Sequence, residues 1–99
     1  MEIHIVRNNG ESTLALSGRL DTVTAPKLQA ALIPEVEGAK KVTLDFAKLS
    51  YVSSAGLRVL LLAVKAAKLK GEELCITNVC PEIAEIFEMT GFSDILTID

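Results

Sequence analysis

Aromatic side chains are scarce in this sequence, which has no tryptophan, one tyrosine and three phenylalanines among its 99 residues. Hydrophobic residues still make up 49% of the chain and charged residues 23%, a balance that is typical of folded globular domains and not of disordered segments. The core must therefore be built mainly from aliphatic side chains. The length fits one domain, which we expect to span residues 1–99.

Cysteine and histidine, which supply the ligands of most zinc and redox sites, are also few. The two cysteines, Cys75 and Cys80, have a spacing that is neither that of a redox pair nor that of half a zinc site, and His4 is the only histidine. We therefore expect no metal site and no cofactor. Two reduced thiols are typical of a cytoplasmic protein, and we predict that location.

Sequence motifs of enzymes are absent as well. The chain has no glycine-rich phosphate loop, no dinucleotide-binding fingerprint and no Gly-x-Ser-x-Gly elbow. A hydrolase built on Ser54 would have no histidine base other than His4. We therefore predict that the protein is not an enzyme.

Strong positive charge and long apolar runs are the last two features that the chain lacks. The net charge is −3, whereas a nucleic-acid-binding domain usually has a basic face. No apolar run approaches the roughly 18 residues of a membrane-spanning helix, and the N-terminus does not have the pattern of a signal peptide. We expect neither nucleic-acid binding nor direct membrane insertion.

Alternating apolar residues and an Asn-Gly turn predict a β-hairpin at the start of the chain. Residues 3–6 and 13–16 have strand patterns, and Asn9-Gly10 lies between them. A short helix follows, from an N-cap at Thr24 to about Ile33. We expect Pro34 to end this helix and residues 35–39 to form a loop, because proline lacks a backbone N–H and clashes with the preceding turn.

The remaining chain alternates between strands and helices. Residues 42–46 are an apolar run of strand length, and residues 55–70 have the apolar stripe of a long helix that Gly71 would end. A strand at 73–77, a helix that has Pro81 in its first turn and ends before Gly91, and a strand at 95–98 complete the order β-β-α-β-α-β-α-β. This order predicts an α/β fold with a mixed sheet and right-handed parallel crossovers.

Two serines lie between the strand 42–46 and the long helix, in the segment Ser53-Ser54-Ala55-Gly56. A serine before a helix is a common N-cap, since its oxygen can accept a hydrogen bond from a backbone N–H of the first turn. The N-terminus of a helix also favours negative charge, so this position tolerates a phosphate. From the residues alone, Ser54 is interpreted as a helix cap.

Asp45 stands near the end of an otherwise apolar strand and has two interpretations. Its carboxylate can accept hydrogen bonds from backbone N–H groups of a nearby turn, which is the more common use of aspartate. Alternatively, it borders a site at the carboxyl ends of the strands.

Several segments taken together resemble the STAS domain, a family named after sulphate transporters and anti-sigma factor antagonists. The resemblance is carried by Gly18-Arg19-Leu20-Asp21, by the stretch from Asp45 to Leu57 and by Thr90-Gly91-Phe92. It spans nearly the whole chain. It implies a STAS-like mixed sheet with an N-terminal β-hairpin and with helices packed on the sheet.

In the bacterial antagonists of this family, an Asp-Ser-Ser/Thr-Gly turn carries the serine that an anti-sigma factor kinase phosphorylates. The matching segment begins at Ser53, so the resemblance implies phosphorylation at Ser54. Ser53 replaces the usual aspartate, and Ala55 replaces the usual second serine or threonine. The resemblance implies a partner-binding surface made of Asp21, Thr22, Ser53, Ser54, Gly56, Leu57 and Arg58. It also implies two partners, an anti-sigma factor serine kinase and a phosphoserine phosphatase.

The predicted function is therefore that of an anti-sigma factor antagonist in a partner-switching system, controlled by serine phosphorylation. The alternative is a STAS adaptor subunit of a lipid or anion transport assembly, which need not be phosphorylated. In either case we expect the turn Ser53–Gly56 to be exposed at the start of the long helix. It should lie beside the turn at Asp21, because both turns follow the carboxyl ends of strands.

Overall fold

The computed structural model of the protein describes residues 1–98 and has the predicted order of elements. The strands are β1 (Glu2–Asn8), β2 (Glu11–Leu20), β3 (Lys41–Val52), β4 (Leu74–Thr77) and β5 (Thr97–Ile98). The helices are α1 (Ala25–Gly38), α2 (Ser54–Leu69) and α3 (Pro81–Thr90), and a short 3-10 helix covers Phe92–Asp94. Strand β5 is shorter than the predicted strand at 95–98, and β3 extends well beyond the predicted strand at 42–46.

The five strands form one mixed sheet in the order β1-β2-β3-β4-β5. The hairpin partners β1 and β2 are antiparallel, and every later pair is parallel. The hairpin turn has positive φ at Asn9 (54°) and Gly10 (82°), which matches the right-handed twist of the two strands. Because successive parallel strands are neighbours, right-handed crossovers place all three helices on one face of the sheet.

The core lies between this sheet face and the helices and is mainly aliphatic. Leu14 and Leu16 of β2 are buried, whereas Thr13, which precedes Leu14, is exposed on the other face of the sheet. The rings of Phe46 on β3 and Phe87 on α3 are fully buried, with centroids 6.3 Å apart in a tilted arrangement. This contact fixes α3 against the sheet.

The first helix does not end at Pro34, so the prediction of a loop at residues 35–39 is wrong. Helix α1 continues through Pro34 to Gly38. Proline removes one backbone hydrogen bond from the helix, but contacts distant in sequence offset this loss. Val36 in the last turn is buried in the core, and two polar networks hold the neighbouring residues.

The first network joins α1 to the hairpin through Glu35. Its carboxylate accepts two hydrogen bonds from the Arg7 guanidinium, at 2.9 and 2.8 Å, and one from the Ser12 hydroxyl at 2.8 Å. Ser12 is itself buried on β2. The bonds from Arg7 and Ser12 hold the pKa of Glu35 below its ordinary value, so the carboxylate stays ionised at neutral pH.

The second network caps the end of α1 with a side chain from the end of α2. The ammonium of Lys70 donates hydrogen bonds to the carbonyls of Val36 (3.0 Å), Glu37 (2.7 Å) and Ala39 (3.0 Å). The last carbonyls of a helix have no partner within the helix, and a cation there also interacts favourably with the helix dipole. Helix α1 has no basic residue in its own last turn, so Lys70 supplies this charge.

Replacing Lys70 with methionine should lower the free energy of unfolding by about 1.5–3 kcal/mol, because the charge-assisted bonds to three carbonyls are lost. Urea denaturation measures this change. Lys68→Met is the matched control, since Lys68 is exposed on the same helix. It should shift stability by less than about 0.5 kcal/mol. Equal effects from the two substitutions would contradict a capping role for Lys70.

Candidate functional site

The strands β2 and β3 end side by side, and this pairing brings two turns together. Leu20 pairs with Val52 at the last position of the ladder, and the Ser53 N–H donates to the Leu20 carbonyl at 2.8 Å. The chain then leaves β2 through residues 21–24 (the Asp21 turn) and leaves β3 through residues 53–56 (the serine turn). The structure thus confirms that the two turns lie at the same edge of the sheet.

Within the serine turn, the two serines have different environments. Ser53 is the N-cap of α2, and its hydroxyl oxygen accepts a hydrogen bond from the Gly56 N–H at 3.4 Å. Ser54 is the first residue of the helix, is exposed, and makes no side-chain hydrogen bond within residues 1–98. The interpretation of Ser54 as the cap is therefore wrong by one residue, because the chain leaves the helical conformation at Ser53. The hydroxyl of Ser54 is left open to solvent.

The Asp21 turn is held by its own side chains. One carboxylate oxygen of Asp21 accepts hydrogen bonds from the backbone N–H groups of Val23 (3.0 Å) and Thr24 (3.1 Å). The Thr24 hydroxyl accepts from the Asp21 N–H at 2.8 Å and donates to the Arg19 carbonyl at 2.8 Å. The bond from the Thr24 N–H is the main reason that the pKa of Asp21 lies below its ordinary value. Thr22 is exposed at the tip of this rigid, negatively charged turn.

Arg19 and Tyr51 border the two turns and were not among the predicted site residues. They are direct partners in the β2–β3 ladder, and the Arg19 guanidinium carbon lies 4.1 Å from the centroid of the Tyr51 ring. The Arg19 Nε atom is also 3.9 Å from the Asp21 carboxylate. Predicting this pair would have required the strand register, which the sequence pattern does not provide.

Gly56 and Leu57 are buried, which corrects their expected place among residues that contact a partner. A Cβ atom on Gly56 would lie 2.6 Å from Cγ and 2.9 Å from Cδ2 of Leu20, and 3.2 Å from Cγ1 of Val52. These contacts require glycine, because Leu20 is itself fully buried. Gly56 and Leu57 therefore position the serine turn. Arg58, one turn into α2, is exposed and has no ion-pair partner within residues 1–98.

Asp45 has a structural role inside β3. One of its carboxylate oxygens accepts from the Ala47 N–H at 3.0 Å and from the Asn78 side-chain amide at 2.9 Å. The bond from Asn78, followed by that from Ala47, lowers the pKa of Asp45. The pairing of β2 with β3 is irregular here, and Asp45 accepts from the Ala47 N–H within this irregular stretch. The interpretation of Asp45 as an acceptor for nearby backbone is confirmed.

The described residues offer few other candidate sites. An open groove of about 670 Å³ lies near Ser17, Lys27 and Lys48, away from both turns. Residues 1–98 contain no group of three or more histidine, cysteine or acidic side chains placed to hold a metal ion. Within the same residues, no helix is both long enough and apolar enough to cross a membrane.

Comparison with known proteins identifies the family. The family model of the STAS domain matches residues 2–99. The chain belongs to the STAS domain family. The STAS fold described above thus places the serine turn and the Asp21 turn at one edge of the sheet.

Individual relatives and structures extend this comparison. BtrV of Bordetella bronchiseptica, named as a candidate anti-sigma factor antagonist, is 34% identical over 99 residues, which are 99% of this STAS chain and 85% of BtrV. A Thermotoga maritima protein described in the same way has a TM-score of 0.90 at 15% identity over 97% of this chain and 84% of its own. Phosphorylated SpoIIAA of Bacillus has a TM-score of 0.78 at 15% identity over 99% of this chain and 91% of its own. Both structures share the fold.

Gly56→Ala should lower the free energy of unfolding by about 1–3 kcal/mol, because the added methyl group overlaps a buried leucine that has no room to move. Gly38→Ala is the control, since a Cβ there meets nothing within 4 Å. It should be neutral or slightly stabilising, as alanine is the better helix former. Urea denaturation distinguishes the two. If Gly56→Ala is as harmless as the control, the two turns are not held together by this contact.

Proposed function

We propose that this STAS protein is an anti-sigma factor antagonist that binds an anti-sigma factor serine kinase and is switched off by phosphorylation of Ser54. The observation that carries the proposal is the exposed hydroxyl of Ser54 at the first position of α2, which has no hydrogen bond within residues 1–98 and lies beside the rigid Asp21 turn. The similarity to BtrV over the whole chain supports the same class of function. Release of a sigma factor would follow from binding of its anti-sigma factor.

The geometry favours Ser54 over Ser53 as the phosphate acceptor. A kinase must reach a hydroxyl whose lone pair can attack the γ-phosphorus of ATP, forming the new P–O bond as the bond to ADP breaks. Ser53 is half-buried, and its oxygen accepts a hydrogen bond from the backbone of the first helical turn. Ser54 has neither restraint, so its hydroxyl can enter a kinase active site without unfolding the helix.

A phosphate on Ser54 would change the surface more than the fold. It adds a charge of about −1.5 to −2 at a helix N-terminus, where the dipole favours negative charge. The neighbouring Asp21 carboxylate has a lowered pKa and is already ionised at neutral pH. Phosphorylation therefore adds to the negative charge of a surface that the partner has to desolvate. We infer that it acts by repulsion at the interface.

In this mechanism the antagonist performs no catalytic step itself. The kinase supplies ATP, the metal and the base, and the antagonist supplies only the hydroxyl. Removal of the phosphate would be the task of a phosphoserine phosphatase. All of these encounters would take place in the cytoplasm, without nucleic acid.

Ser54→Ala should bind the kinase but accept no phosphate, whereas Ser53→Ala should still be phosphorylated. The assay incubates each variant with ATP and the purified anti-sigma factor kinases of the same genome, and intact mass detects one added phosphate. Ser53→Ala loses a cap worth about 1 kcal/mol, so its folding is checked by circular dichroism. Modification of Ser54→Ala but not of Ser53→Ala would place the acceptor at Ser53. If the wild-type chain is never modified, the switch fails and the adaptor alternative gains.

Asp21→Asn tests the acidic turn, because asparagine keeps the oxygen that caps Val23 and Thr24 and removes only the charge. Asp21→Lys would be a less specific test, because it would remove the capping oxygen as well as the negative charge. We expect the kinase to bind Asp21→Asn at least tenfold more weakly, about 1.4 kcal/mol, with little change in unfolding free energy. Isothermal titration calorimetry measures the affinity, and exposed Asp94→Asn is the control. Unchanged affinity would remove the Asp21 carboxylate from the interface.

A further inference from the structure

We propose that the partner surface continues from the serine turn along the outer face of α2, and that this face docks an acidic, partly apolar surface of the same anti-sigma factor. The outer face is defined by Ser54, Arg58, Leu62, Lys65 and Leu69. This inference rests on the proposed function, because the two turns must already hold the partner for the helix to extend the contact.

The five residues form one continuous strip. Their spacing of 4, 4, 3 and 4 residues keeps them within an arc of about 80° of the helix, and the strip is about 22 Å long. The residues that α2 buries lie on the opposite side and are Gly56, Leu57, Val59, Leu60, Ala63, Val64 and Ala67. The strip therefore begins at the proposed phosphate acceptor and leads directly away from it along exposed helix.

The charge of this face is opposite to that of the whole chain. Helix α2 has no acidic residue and carries Arg58, Lys65 and Lys68, although the net charge of the protein is −3. None of the three cations has an ion-pair partner within residues 1–98. By contrast, the other two arginines are paired, Arg7 with Glu35 and Arg19 with Asp21. Unpaired positive charges of this kind attract an acidic surface and set its orientation.

Two exposed leucines on the same strip can supply apolar contact: Leu62 lies between Arg58 and Lys65, and Leu69 follows Lys65. Leu62 is 42% exposed and Leu69 is 90% exposed. A single exposed leucine needs no explanation, but these two lie on the same strip, with Lys65 between them. A docked partner would bury both leucines, and the cations would lie at the rim, where charges are tolerated at interfaces.

Helix α3, the next helix along the chain, is unsuited to an acidic partner. Its outward-facing residues include Glu82, Glu85 and Glu88, and it carries no basic residue. An acidic surface would be repelled from α3 and attracted to α2. Of these two helices, we therefore expect only α2 to dock the partner.

The size of a typical interface also favours an extension beyond the turns. The two turns and Arg58 provide only about ten residues, whereas a standard stable interface uses about 20–30 residues on each side. The outer face of α2 is exposed and continues directly from the serine turn.

Photo-crosslinking in the producing cells tests the proposal even when the partner has not yet been identified. Benzoylphenylalanine is placed at Thr22 in the Asp21 turn, at Leu69 on the outer face of α2, or at Met89 on α3 as the control. Met89 is 78% exposed, so its accessibility matches that of Leu69. Mass spectrometry then identifies each adduct. We expect Thr22 and Leu69 to capture the same anti-sigma factor and Met89 to capture none.

Each other result has a distinct meaning. If the crosslinker at position 22 captures the anti-sigma factor and the crosslinker at position 69 does not, the proposed extension of the partner surface along α2 is wrong and the proposed function remains intact. Capture of no anti-sigma factor from either position overturns both. An adduct of Leu69 with any other protein, including a second copy of this chain, overturns the choice of occupant. Capture of the anti-sigma factor from Met89 as well overturns the restriction to α2.

A charge reversal measures the contribution of the cations once the anti-sigma factor has been identified. Lys65→Glu should weaken its binding at least tenfold in low salt, and the difference should shrink at 1 M salt, where charges are screened within about 3 Å. Lys41→Glu, at the start of β3, is the control and should have no comparable effect. Equal losses of affinity for the two variants would show that net charge, and not the outer face of α2, controls binding.

Discussion

The close contact between Leu20 and Gly56 is the constraint on which the site depends. The β2–β3 ladder runs to the last residue of each strand and is extended by the hydrogen bond from the Ser53 N–H to the Leu20 carbonyl. Helix α2 can begin there only because Gly56 has no side chain to meet Leu20. A bulkier residue would push the helix from the strand ends and separate the serine turn from the Asp21 turn. The arrangement of the two turns is thus a consequence of core packing directly beneath them.

This arrangement divides two tasks between adjacent serines. Ser53 satisfies the backbone of the first helical turn, and Ser54 takes no part in holding the helix. A modification of Ser54 therefore removes no structural hydrogen bond within the described residues. The Asp21 turn is equally self-contained, since the hydrogen bonds of its side chains all lie within residues 19–24. A phosphate on Ser54 would therefore leave the hydrogen bonds of both turns in place.

Local signals in the sequence predicted most of the fold, because the hairpin turn and the start of α2 depend on residues close in the chain. The end of α1 was predicted wrongly because side chains distant in sequence stabilise it. Arg19 and Tyr51 were missed for the same reason, since they meet only through the register of β2 with β3. Gly56 and Leu57 were assigned to the partner surface by the resemblance to the STAS family, whereas the helical period turns both of them toward the core.

The dielectric environment explains how one phosphate can leave the fold intact and still prevent binding. Two unit charges 4 Å apart interact with about 1 kcal/mol in bulk water, but with about 4 kcal/mol at an effective dielectric constant of about 20, and more as water is excluded. In the free chain, a phosphate on Ser54 and the Asp21 carboxylate are both solvated, and the helix dipole offsets part of their repulsion. A bound partner removes that water and strengthens the repulsion several-fold. The same charge is therefore tolerated in the free protein and opposed in the complex, which is the property that a switch at this edge of the sheet requires.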